Sequence, residues 1–248
     1  MKKVDPNKVV DRFQTAVADS LKSWMTVDTA LAGQPVATRR IATTDAFVRL
    51  AVTWESFLSN WWIAAINRDP TTFVSRLDKR LREIAAAEMG LQAGDLSTAL
   101  VARSHLTVED VRRLADPNGE NLVFRSRTDL RKAAERDLAA NYRARVTAIT
   151  SGAWQVADLT RLCRNALVHQ SQRALAEINT KLVEPTTKPD FRWTGSRRLD
   201  VRGLRRYLRT PRTPEGDPRI VTFHNELTAL AAVLKAPPSG ASGQQPPT

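Results

Sequence analysis

Chemistry that needs paired cysteines or clustered histidines is closed to this chain by what it lacks. Cys163 is the one cysteine in 248 residues, so no internal disulfide forms. The three histidines, His105, His169 and His224, stand too far apart for zinc-ligand spacing. No cofactor and no metal are expected. Long apolar runs are missing too: no uncharged stretch reaches the roughly 18 residues of a membrane span. The opening MKKVDPNKVVD has no apolar stretch of signal-peptide length. A cytoplasmic protein with no membrane partner is the expectation. Acid is in short supply, with 26 Asp and Glu against 38 Lys and Arg, for a net charge of +12. Polyanions are the natural partners of such a surface. The excess is carried by 29 arginines against 9 lysines. A planar guanidinium fork suits phosphate, but Arg-rich and Ala-rich composition also arises from genome bias, and composition alone does not choose between the two.

Strand-like alternation is absent as well, whereas apolar residues recur at three and four, so the chain reads as all-α. Asp5 as N-cap and Pro6 at N1 open a first helix that ends near Gly33 and buries Val9, Val10, Phe13, Ala16, Val17, Leu21 and Trp24. A second, over about 43–68, carries Phe47, Leu50, Trp54, Leu58, Trp61 and Trp62 on one wide stripe before Asp69-Pro70 stops it. Shorter helical pieces are expected over 71–115, with breaks at Gly90 and Gly94 and a turn at Asp116-Pro117-Asn118-Gly119. A charged helix follows over 128–149. From Ser151 a further pattern runs toward Pro185, with a break near His169. Residues 186–216 read mostly as basic loop with a short helix near 200–209, and a last helix follows Asp217-Pro218. The economical reading is one helical domain over 1–235 and a flexible tail over 236–248.

Within RLCRNALVHQ, Leu159, Leu162, Cys163, Ala166 and Leu167 form one buried stripe. Arg161, Arg164, Asn165, Val168 and His169 fall on the other face. A solvated polar face is the bland account of that side, yet Val168 in its middle hints at contact with another surface. On an ideal helix Arg164 and His169 stand about 140° and about 7.5 Å apart. They are expected to be too splayed for one pair to clasp one phosphate.

The string RNALVH, an Arg-Asn followed by three residues and a His late in a helix, resembles the ribonuclease motif of the HEPN superfamily. Arg164, Asn165 and His169 are the matching residues. In the second helix AFVRLAVTWESFLSNWW resembles the family's aromatic-rich helix, with Glu55 as its acidic residue. The likeness spans about residues 5–185. It implies an all-α bundle that dimerises to join two motifs and cuts RNA without a metal. Arg164, His169 and Asn165 would then be catalytic. Glu55 is open between orienting that pair and an ion pair with a structural arginine. By composition Arg-x4-His arises by chance roughly 0.3 times in such a chain, and roughly 0.01 times with Asn required. Arg219 and His224 repeat the spacing without Asn, and read as structural.

The residue types suit the chemistry. RNA carries its own nucleophile, the 2′-hydroxyl, so cleavage needs proton transfer and stabilisation of phosphate charge. Histidine titrates near neutrality and arginine stays charged. Residues 191–219 add nine arginines and three acids. A solvated loop and a nucleic-acid groove explain that run equally. In the groove reading Arg161, Arg192, Arg197, Arg198, Arg205 and Arg206 hold RNA, with Phe191, Trp193 and Tyr207 as candidate stacking surfaces. Trp61 and Trp62 read as core, and His105 has no role.

The resemblance implies a metal-independent endoribonuclease, a homodimer of the toxin or phage-defence kind, with an antitoxin or a defence-complex protein as a further partner. The alternative is a non-catalytic RNA-binding or scaffold module, or a partner of a nucleotidyltransferase antitoxin.

Overall fold

The computed structural model describes residues 3–89, 106–116, 118–119 and 122–235. These residues form ten α-helices, a 3-10 turn at Pro189–Phe191 and no β-strand, so the all-α reading holds. In order they are α1 (Pro6–Ala30), α2 (Val36–Arg68), α3 (Thr71–Met89), α4 (Val108–Ala115), α5 (Arg127–Asp137), α6 (Ala140–Ala148), α7 (Ser151–His169), α8 (Gln172–Lys181), α9 (Val201–Arg209) and α10 (Arg219–Lys235). None of them is long and apolar enough to cross a membrane.

Helix ends follow local chemistry. Asp5 Oδ1 accepts the Asn7 N–H at 2.9 Å, as an N-cap ahead of Pro6 should. Asp69-Pro70 closes α2. At Gly119, φ is +70°, and its N–H donates to the Asp116 carbonyl at 3.1 Å. Two boundaries differ from expectation. The second helix starts at Val36 rather than near 43, because its first two turns leave Val36 and Ile41 exposed and so carry no apolar stripe to read. The charged helix expected over 128–149 is two helices, since Leu138 turns into the extended region (φ −104°, ψ 141°) while its side chain stays buried. Gly90, Gly94 and His105, and the tail over 236–248, lie outside the described residues.

By contact, the described residues gather into two compact units: those falling within 1–9, 58–148 and 233–248, and those within 10–57 and 149–232. The first unit is built on Trp61 and Trp62, both fully buried as expected of core residues. Trp61 meets Tyr142 edge-on at 6.2 Å and Trp62 packs on Phe124 at 4.7 Å. The Trp61 indole N–H has no hydrogen-bond partner, whereas two other buried polar side chains are paired. Asn67 accepts from the Val4 N–H and donates to the Leu106 carbonyl, and the Asp137 carboxylate holds both Arg76 (2.9 Å) and Arg136 (2.8 Å).

The second unit has two aromatic knots. Phe13 stacks on Phe57 at 4.2 Å and meets the Trp54 edge, while Phe223 sits against Phe47 and Phe191 at 4.9 and 4.6 Å. Its one acidic hub is Asp28, reached by Arg39 from α2 and by Arg209 from the end of α9. Burial alone would raise the Asp28 pKa. The hydrogen bonds from Arg209 and Arg39 outweigh that and hold it below the usual carboxylate value.

Candidate functional site

α7 begins at Thr150, whose hydroxyl accepts the Ala153 N–H at 3.1 Å. It ends at His169 because Gln170 takes the left-handed conformation (φ 49°, ψ 34°) and Ser171 caps α8. The break expected near His169 is therefore present. Leu159, Leu162, Cys163, Ala166 and Leu167 are buried, as the helical spacing requires. Burial pushes the Cys163 thiol far up, so this cysteine is an inert core residue. Facing away, Arg161, Arg164 and Asn165 are half-buried, and Val168 and His169 are exposed.

The expected splay of Arg164 and His169 does not occur. Arg164 Nη1 donates to Asn165 Oδ1 at 3.0 Å and lies 3.5 Å from His169 Nε2. A long arginine stem spans the rise of the last turn, and His169 occupies the helix end, where no further turn stands in the way. One chain thus sets a permanent cation, an amide and a titratable ring side by side at the surface. In the neutral imidazole the arginine N–H points at the Nε2 lone pair, which leaves the proton on Nδ1. Glu55, half-buried on α2, has no hydrogen bond or ion pair to Arg164 or His169 among the described residues.

Arg219 and His224, which share the spacing, are structural. Arg219 is buried, donates to the Thr210, Pro211 and Arg192 carbonyls and lies 4.5 Å over the Tyr207 ring. The buried His224 holds the Ile220 carbonyl at 2.8 Å through Nδ1, so that nitrogen carries the proton. Burial lowers its pKa, against the smaller opposing effect of that hydrogen bond.

The basic segment divides by partner. Arg192 donates to the Thr187 and Pro185 carbonyls and staples its loop, so it is withdrawn from any RNA-facing set. Arg209 is bound to Asp28, and Arg212 reaches Asp190 at 3.4 Å. Arg197, Arg198, Arg205 and Arg206 have no anionic partner among the described residues, nor has Arg161. Arg202 joins them, one helical turn before Arg206 on α9; the i, i+4 spacing is its sequence signal. Two of the three aromatics drop out as stacking surfaces. Phe191 and Tyr207 are fully buried, with the Tyr207 hydroxyl donating to the Phe191 carbonyl, and only Trp193 keeps an open side.

Among the described residues no three of His, Cys, Asp and Glu are placed to hold a metal. A groove of about 400 Å³ between α1 and α2 sets Asp19 and Asp45 against Arg49 alone, the wrong balance for a polyanion. Comparison of the chain with protein-family models, with curated proteins and with solved structures finds no match.

Proposed function

We propose that the chain is a metal-independent endoribonuclease of the HEPN kind, a toxin or phage-defence effector that works as a homodimer. The observation that carries this reading is the Arg164 guanidinium held between Asn165 Oδ1 and His169 Nε2 at the exposed end of α7. Attack by the 2′-hydroxyl on its own phosphodiester needs a base at the entering oxygen, an acid at the departing 5′-oxygen and a cation on the equatorial oxygens. His169 moves the proton, Arg164 binds the phosphate oxygens, and Asn165 fixes the guanidinium's direction.

In-line displacement puts entering and departing oxygens on opposite sides of phosphorus, so one imidazole cannot serve both. A second copy related by a twofold axis supplies the other His169. Val168, 46 % exposed beside the motif, is an apolar residue for that contact. Glu55 remains a candidate to orient the pair once RNA is bound. The same exposed Val168 favours a second reading, in which a protein partner such as a nucleotidyltransferase antitoxin covers the face.

End-group analysis of RNA incubated with the protein in chelator tests the chemistry. The products should carry 2′,3′-cyclic phosphate and 5′-hydroxyl ends, and a single 2′-deoxy substitution at the scissile nucleotide should block cutting. His169→Ala and Arg164→Ala should each lower cleavage by about 10²-fold or more. Cutting at the parental rate by either folded variant, or a requirement for a divalent ion, refutes the assignment.

A further inference from the structure

We infer that the cleft between α8 and the loop over 193–198 is a subsite for one unpaired nucleotide of RNA, its base on the Trp193 indole and its phosphates on Arg197 and Arg198. The inference rests on the reading of the chain as an RNA-directed protein. It does not depend on the chemistry at Arg164 and His169.

The cleft holds about 320 Å³ and no carboxylate lines it. That is the low end of ligand cavities, which run from roughly 300 to 1,000 Å³, so it suits one base rather than a helix. One wall is apolar, from Ala176 and the 60 % exposed Val183. The other is an indole held rigidly. Trp193 Nε1 donates to the Arg197 carbonyl at 2.9 Å, its ring meets Tyr207 edge-on at 6.3 Å, and Gly195 lies so close that a Cβ there would overlap the ring. A preorganised aromatic surface loses little entropy when a base stacks on it.

Arg197 and Arg198 are exposed and have no anionic partner among the described residues. The hydrogen bond from Trp193 to the Arg197 carbonyl ties ring and cation to one short loop. A flat π surface and a cationic rim lining one cleft suit the base and the phosphate of one single-stranded nucleotide. A duplex hides its base faces in the stack and offers only phosphate, so the cleft discriminates between the two forms.

Affinity for a short single-stranded 2′-O-methyl oligonucleotide, which cannot be cleaved by 2′-hydroxyl attack, tests this against a duplex of equal length. Trp193→Ala should weaken single-strand binding by about 5- to 160-fold, the usual cost of losing one stacked base. Trp193→Phe should restore most of it, and duplex affinity should not move. Ala176→Trp fills the cleft from the α8 side without touching the loop, and should reproduce the loss. An abasic site at the docked nucleotide should erase the difference between parent and Trp193→Ala. The subsite is refuted if both blocking variants, folded by circular dichroism, bind single strand as the parent does, if they lose duplex and single strand alike, or if polyglutamate competes as well as RNA. Trp193-dependent binding by a protein that never cuts RNA would keep the subsite and end the nuclease reading. Normal cutting with Trp193-independent binding would do the reverse.

Discussion

If the unpaired arginines of the basic segment are the polyanion contacts and the paired ones are staples, the two sets should differ in one measurable slope. Arg197, Arg198, Arg205 and Arg206 carry no anionic partner among the described residues, whereas Arg192 is bound by carbonyls and Arg209 by Asp28. Each phosphate neutralised on a single strand adds about 0.7 to the slope of log affinity against log salt, so replacing the four by Ala should lower the slope by up to about 2.8. Between 50 and 200 mM salt the parent should then lose about 50-fold more affinity than the variant. Fluorescence anisotropy with an uncleavable single strand reads this directly.

Arg209→Ala is the contrast. It should leave the slope within about 0.7 of the parent. Its cost should appear in thermal stability, on the order of 1–3 kcal/mol, because a hydrogen-bonded ion pair is lost beside Asp28. A quadruple variant with the parental slope, or an Arg209→Ala protein that loses slope without losing stability, would refute the division.

Two further outcomes follow from particular side chains. His224 stays neutral in the fold below its ordinary pKa of 6.5, because burial disfavours its charge. The unfolded chain therefore takes up a proton first, and stability should fall as pH drops below about 6.5, by at most about 1.4 kcal/mol per pH unit, until the lowered folded pKa is reached. His224→Asn keeps a donor for the Ile220 carbonyl, and its urea midpoint should be flatter than the parent's over that window; equal slopes would sink the reasoning. Val168→Asp places a charge on the face assigned to the second copy, and sedimentation should show weaker self-association, with a strictly monomeric parent at micromolar concentration counting against the shared site.

How far the sequence reaches is plain from α7. Its buried stripe follows from the three-and-four spacing alone, and its end near His169 from the change in pattern there, because both are consequences of local geometry. What spacing could not show is the meeting of Arg164 with His169. Ideal helix angles place backbones, while the contact is made by a flexible stem at a helix terminus where the regular turn has ended. The split at Leu138 escaped because no glycine or proline marks it, and Leu138 keeps the i, i+4 spacing of buried Leu130 and Ala134, so the apolar pattern runs on through the break. The basic segment shows the strongest limit. Nine arginines look alike in sequence, but Arg209 meets Asp28 across 181 positions, and the arginine at 219 finds its carbonyls only once the 192 and 210 loops are in place. Pairing to carbonyls or carboxylates occupies four of these cations, the half-exposed Arg212 among them, and leaves five without an anionic partner among the described residues, at 197, 198, 202, 205 and 206. Net charge therefore overstates what the segment offers a polyanion, and the residues worth testing are those the fold itself does not use.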